Sequence, residues 1–384
     1  MSKLTKILIV VTVALFAGYA ALIIATKNFD SATVAVSIEK GVSNELYGAY
    51  YERAAEILDG MTLDEKVGQL LFARAPEMNI KSVATNYHLG GLILFGRDVD
   101  GQSLASIKTK VDSWQRDLNT KLFIGIDEEG GLVSRLSYAG LADFASPQEL
   151  YAQGGMDAIL TDTATKISTL DSIGVNVNFA PVADVCEDKN SFIYARTFGQ
   201  GASATADYIK NVTEKYHGSN ISATLKHFPG YGCNVDTHRL VSVDTRSIAS
   251  FKENDFLPFE AGIKAGADFV MVSHNIIQEI DASAPASLSH DVHKILADDL
   301  GFSGVIITDD LSMDAIAEYY HGEYPAEVQA VLAGNNMLIV TDYATAFNNI
   351  KSAVENGIIK ESYLDYQLMP VLGLKVKKGL TTLR

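Results

Sequence analysis

Thirteen residues, Lys226-His227-Phe228-Pro229-Gly230-Tyr231-Gly232-Cys233-Asn234-Val235-Asp236-Thr237-His238, hold a cation, two imidazoles and a carboxylate. The residues before them, Ile221 to Leu225, read as a short buried strand. The polar cluster therefore begins where a strand gives way to a loop. Asp236 and His238 are two apart, so a short turn lets the carboxylate orient the imidazole and raise its proton affinity. That is a general acid/base arrangement. An Asp-x-His pair is also common in ordinary polar loops, so its weight depends on the rest of the chain.

Other reactive side chains fall at the ends of apolar runs. Asp127 follows Ile126, Asp184 follows Val175–Pro181, and His274 follows Phe269–Ser273. Asp309 and Asp310 follow Val305–Thr308, and Asp342 follows Met337–Val340. Adjacent side chains on extended backbone point opposite ways. One of Asp309 and Asp310 therefore faces a site, and the other is free to cap the next helix. Asp127-Glu128-Glu129-Gly130-Gly131 offers three acids and a glycine pair, but without the alternating oxygen ligands of a calcium loop. Arg135 and Arg196, by residue type alone, read as surface salt-bridge partners more often than as ligand contacts. His227, Asp236 and His238 match no common zinc spacing, and Lys226 would oppose a cation there. No metal or other cofactor is expected.

The elements that must position these groups follow from the apolar runs. There are eight: Gln69–Phe72, Gly91–Phe95, Leu122–Ile126, Val175–Pro181, Ala223–His227, Phe269–Ser273, Val305–Thr308 and Met337–Val340. They show little alternation, as strands buried on both faces should. Longer amphipathic stretches separate them. Eight strand-helix repeats predict an α/β fold, a (β/α)₈ TIM-like barrel, with a doubly wound open sheet as the rival. In a barrel the strand ends carrying the reactive residues open onto one face, where such folds hold their sites. Helical spacing runs from Ala54 to Leu71, with Thr62 and Glu65 forming a capping box.

The chain has 384 residues, 47% of them apolar, and a net charge of −16. That is ample for a large core and argues against nucleic acid as a partner. Ile7 to Thr26 runs twenty residues without charge, with Lys3 and Lys6 before it and Lys27 after it. The length predicts a transmembrane helix acting as an uncleaved signal anchor, with a cleaved, secreted form as the alternative. The two lysines and the amino terminus before the span keep that end in the cytoplasm and place the remainder on the extracytoplasmic side of the cell membrane. The expected division is 1–27 anchor, 28–48 linker and 49–384 catalytic domain. Only Cys186 and Cys233 are present, so this is no disulfide scaffold. Each lies just past one of two neighbouring strands, which permits one bridge between their loops.

Several segments, in order, resemble glycoside hydrolase family 3, in particular its small bacterial β-N-acetylglucosaminidases. They are Met61-Thr62-Leu63-Asp64-Glu65-Lys66-Val67-Gly68-Gln69, Gly90–Phe95, Ile126–Gly131, Asn178–Val182, Ala195–Phe198, Lys226–Gly230, Asp236–His238 and Thr308–Met313. The resemblance implies an exo-acting, retaining hydrolase of β-linked N-acetylglucosamine in cell-wall-derived glycans. It implies Asp309 as nucleophile and His238 as acid/base with Asp236 as its partner. Sugar contacts then fall to Asp127, Arg135, Arg196, Lys226 and His227. Tyr231 stands where the family usually has His, and Leu132 where it often has Arg. Both departures alter the rim more than the floor. A phosphorylase, another β-glycosidase and a non-catalytic glycan binder are the other readings.

Overall fold

The computed structural model describes residues 46–232, 242–317 and 320–381. Its centre is a ring of eight short strands: β1 Leu71–Arg74, β2 Gly91–Leu94, β3 Phe123–Ile126, β4 Val177–Asn178, β5 Ser222–Phe228, β6 Phe269–Val272, β7 Val305–Thr308 and β8 Leu338–Val340. They pair in parallel in the order β7-β6-β5-β4-β3-β2-β1-β8. A parallel bridge between Ile307 and Met337 joins β7 to β8 and brings the sheet round to a nearly closed barrel. Each of the eight predicted runs contributes one strand, and the open-sheet rival fails on that closure.

Packing inside the ring is by large against small. The rings of Phe72 and Phe179 meet edge to face, 5.2 Å apart. A Cβ at Gly125 would lie 2.6 Å from Phe179 and 2.8 Å from Phe72, and one at Gly91 would lie 2.8 Å from Phe72. These two glycines leave the volume that the phenylalanines fill. At the end away from the active face, the helix Glu361–Lys377 closes the barrel. Its fully buried Lys375 donates to Gln69 Oε1 at 2.6 Å and to the Gly90 carbonyl at 2.8 Å. Burial holds the Lys375 ammonium well below its ordinary pKa.

Two sequence expectations about helices are corrected. The stretch Ala54–Leu71 is two helices, Tyr51–Asp59 and Leu63–Gln69, because Gly60 ends the first and the Thr62–Glu65 capping box starts the second. Gln69 therefore belongs to a helix, and β1 starts at Leu71. The expected transmembrane helix is not part of this architecture. Among the described residues no helix is long and apolar enough to cross a membrane. The longest, Pro147–Ser172, is broken at Gly154 and Gly155 and carries Glu149, Asp157, Asp162 and Asp171. The predicted span Ile7–Thr26 lies outside the described residues.

Candidate active site

The C-terminal ends of β3, β4 and β5 build one connected charge cluster. Asp127 and Glu129 are two residues apart on extended chain, so both turn to the same side. Lys226, on β5, reaches both, with Nζ 2.9 Å from Asp127 Oδ1 and 2.6 Å from Glu129 Oε1. Arg196 forms a two-pronged pair with Glu129, at 3.0 Å from Nε and 2.8 Å from Nη2. Such forked pairs fix orientation as well as charge. Arg135 Nη2 closes the far side of Asp127 at 3.1 Å.

A hairpin formed by Glu128–Gly130 and Val133–Ser134 carries these acids. Gly130 has a φ of 97°, and a Cβ there would meet the Ala145 carbonyl at 2.3 Å. Only glycine fits that turn. Glu128 faces the other way and is fully buried. It accepts the Leu136 N–H at 2.9 Å, which pins the short helix Arg135–Tyr138 and so returns Arg135 to Asp127.

His227 lies beside Lys226 across a cis peptide bond. Its Nδ1 is 2.7 Å from Asp184 Oδ2, and its Nε2 is 3.3 Å from Arg196 Nη2. A guanidinium only donates, so Nε2 is the acceptor and Nδ1–H donates to Asp184. Asp184 is 1% exposed and also accepts the backbone N–H groups of His227 at 3.1 Å and Tyr231 at 2.7 Å. One carboxylate thus sets both the imidazole tautomer and the path of the loop after β5.

Charges set the protonation states. Burial raises the pKa of Asp127, but Lys226 and Arg135 outweigh it and hold the group below its ordinary value. Burial opposes the Glu129 anion too, yet Arg196 and Lys226 drive it far below the usual carboxylate range. Burial lowers Lys226, while Asp127 and Glu129 more than reverse that and raise it. The two acids stay ionised and the lysine stays charged near neutrality.

At the end of β7 the two aspartates part, as alternation requires. Both are half-buried. Asp310 turns into the following loop, where its Oδ1 accepts the Ser312 N–H at 2.9 Å. Asp309 takes the other side, and its Oδ1 accepts the Asp310 N–H at 2.9 Å. His274 is fully buried between Ser287 Oγ at 2.7 Å and the Asp310 carbonyl at 3.0 Å, so it braces the β7 end. Asp342 accepts the Thr345 N–H at 3.0 Å and caps the helix Tyr343–Glu355. His238, Asp236 and Cys233 lie outside the described residues. Cys186 is buried just past β4.

Residues 62–374 match the model of the Glycosyl hydrolase family 3 N terminal domain. The chain belongs to glycosyl hydrolase family 3. It is a glycoside hydrolase. It is 32% identical over 273 residues to a beta-hexosaminidase of Methylococcus capsulatus, covering 70% of this chain and 80% of that one. A family 3 β-N-acetylglucosaminidase from Paenibacillus superposes with a TM-score of 0.77 at 29% identity, over 84% of this chain. This hydrolase spans 65% of that Paenibacillus chain. A family 3 glycosyl hydrolase from Mycobacterium smegmatis gives 0.75 at 25% identity, over 83% of this chain and 98% of its own. Among the described residues no cluster of His, Cys, Asp and Glu is arranged to hold a metal ion.

The structure brings together Asp127, Arg135, Arg196, Lys226 and His227, the five residues to which the family resemblance gave sugar contacts. It adds Glu129 and Asp184, to which no role had been given. The i, i+2 spacing of Asp127 and Glu129 was a usable signal for the first. Glu129→Gln in this hydrolase should cost about 3 kcal/mol or more at pH 7, since it leaves two buried cations short of an anion. The folded pKa lies below the unfolded one, so this stability is present above about pH 4.5 and lost as pH falls. Denaturant melts of both proteins at pH 7 and pH 4 test this. The gap should narrow in acid, and an unchanged gap would contradict the pairing.

Proposed function

We propose that this hydrolase is an exo-acting, retaining β-N-acetylglucosaminidase that acts on cell-wall-derived amino sugars. The observation that carries the reading is the cluster of ionised Asp127, Lys226 and Arg196 with the buried imidazole of His227, on the same barrel face as Asp309. Fixed donors and acceptors of both signs suit the vicinal hydroxyls of one terminal sugar. Arg135 supports Asp127 from the rim. The hexosaminidase and β-N-acetylglucosaminidase names of its relatives favour the N-acetyl sugar.

In this reading Asp309 attacks the anomeric carbon, and the bond to the leaving oxygen breaks. His238, oriented by Asp236, gives that oxygen its proton. The covalent glycosyl-enzyme is then hydrolysed by a water that His238 deprotonates, and the configuration is retained. The purified chain should release p-nitrophenol from its N-acetyl-β-glucosaminide, with N-acetylglucosamine as the sugar product. Inactivity on that compound and on cell-wall fragments, alongside turnover of the glucoside, would replace the reading by another β-glycosidase. Sugar 1-phosphate appearing when phosphate is raised would make it a phosphorylase. Binding without turnover would make it a glycan binder.

A further inference from the structure

One cation at the mouth takes no part in the cluster. Alternation along the paired strands places it. Phe72 faces the barrel interior, so Arg74, two residues on, faces inward at the mouth. Gly91 faces inward as well, which puts Ile93 and then Phe95 on the same side. Gly125 does the same for Asp127. In register, Arg74 pairs with Ile93, and Leu94 pairs with Ile126. Arg74, Phe95 and Asp127 therefore follow one another around the inner rim from β1 to β3.

Contacts agree with that order. The Arg74 guanidinium carbon lies 4.4 Å from the centre of the Phe95 ring, and that of Arg135 lies 5.6 Å from it. Arg135 in turn touches Asp127. The two arginines differ in their commitments. Arg135 spends Nη2 on Asp127, while Arg74 has no hydrogen bond or ion pair among the described residues. Its Nε, like that of Arg135, is shut off from solvent without an acceptor. Asp98 feels the Arg74 charge but makes no ion pair with it; it accepts the Phe95 N–H at 2.8 Å and lies 3.6 Å from Arg97 Nε.

A guanidinium held inward by an aromatic ring, with its donors unused, is a poor arrangement for stability alone. Cation–π stacking offsets part of the desolvation and leaves the buried Nε–H unmet. A planar fork of donors matches an oxyanion. We propose that Arg74, with Arg135 and Phe95, forms an oxyanion subsite on the β1–β3 rim of the mouth. It takes a carboxylate on the sugar next to the terminal residue, and the same fork would take inorganic phosphate. This rests on the reading of the mouth as a glycan site.

The test compares two disaccharides with β-linked N-acetylglucosamine, one on glucuronic acid and one on glucose. The wild-type chain should prefer the acidic one in kcat/KM by about tenfold, the worth of one charge-assisted contact. Arg74→Met should bring the ratio close to one, and Arg74→Lys should keep part of it. The wild-type ratio should also shrink as salt rises, a readout that does not depend on the variants folding. A second arm measures inhibition by inorganic phosphate with a neutral substrate. Arg74-dependent inhibition with no acidic preference assigns the subsite to free phosphate. No Arg74 dependence in either arm overturns the proposal, as does a wild-type ratio of one at low salt with no inhibition by phosphate. Calorimetric binding of glucuronate to the wild type and to Arg74→Met reads the subsite without turnover. Inactivity on both disaccharides therefore counts against the glycosidase reading and leaves the subsite to be decided by binding.

Discussion

Asp309→Ala should lower kcat/KM for p-nitrophenyl N-acetyl-β-glucosaminide by roughly four decades or more, the usual scale for loss of a covalent nucleophile. The fold should survive. The side chain is half-buried at the end of β7 and not in the barrel core, and the bond it gives up to the Asp310 N–H, at 2.9 Å, is local to the loop. Such a bond is worth about 1 kcal/mol. Asp310→Ala is the matched control, since that carboxylate is engaged with the Ser312 N–H. It should lose far less activity. Azide added to Asp309→Ala should restore turnover and give the α-configured glycosyl azide, because the small anion enters the face that the carboxylate has vacated. Near wild-type activity in Asp309→Ala would move the nucleophile elsewhere, with Asp310 next to be tried.

The barrel was legible because its strands are buried on both faces. A run such as Val305–Thr308 has no polar alternation to hide it, and every residue in it is buried. Strand ends were less legible. Val175–Pro181 looks like one long strand, but the regular strand is only Val177–Asn178, and past it the chain keeps contact with β5 through single bonds, Thr224 N–H to the Ala180 carbonyl and Ala183 N–H to the Lys226 carbonyl, on the way to Asp184. The Thr62–Glu65 cap was readable since both partners lie within one turn. The spacing hinted at Glu129 and the strand end at Asp184, but what each one does was not readable. Their partners, Arg196 for one and His227 for the other, lie 67 and 43 residues away, and only barrel closure brings them together. Arg74 was invisible for a similar reason. Its character comes from what it lacks, which no spacing records. The apolar segment Ile7–Thr26 illustrates the opposite limit, where composition suggests an element on which the described residues do not bear.

His238→Ala should cut turnover of natural glycans by roughly two to four decades, the usual worth of a general acid. Few side chains at the mouth have a proton to give. Asp127 and Glu129 are held ionised by Lys226 and the two arginines, so neither has a proton to give near neutral pH. Lys226 is held charged by those same acids and keeps its proton. His227 commits its Nδ1–H to Asp184 and accepts from Arg196 at Nε2, which leaves no N–H for a substrate. His274 is spent on Ser287 and the Asp310 carbonyl. The loop histidine after β5, paired by sequence with Asp236, then carries the proton in the proposed mechanism. Loss of an acid matters less when the leaving group needs no proton. Activated aryl glycosides should therefore suffer less than disaccharides. Asp236→Asn should lower the pKa of the basic limb of activity, because a neutral amide no longer favours the imidazolium. Equal losses on aryl glycosides and disaccharides, measured as kcat/KM on each, would remove His238 from the acid role. An unmoved pH profile in Asp236→Asn would separate the two residues.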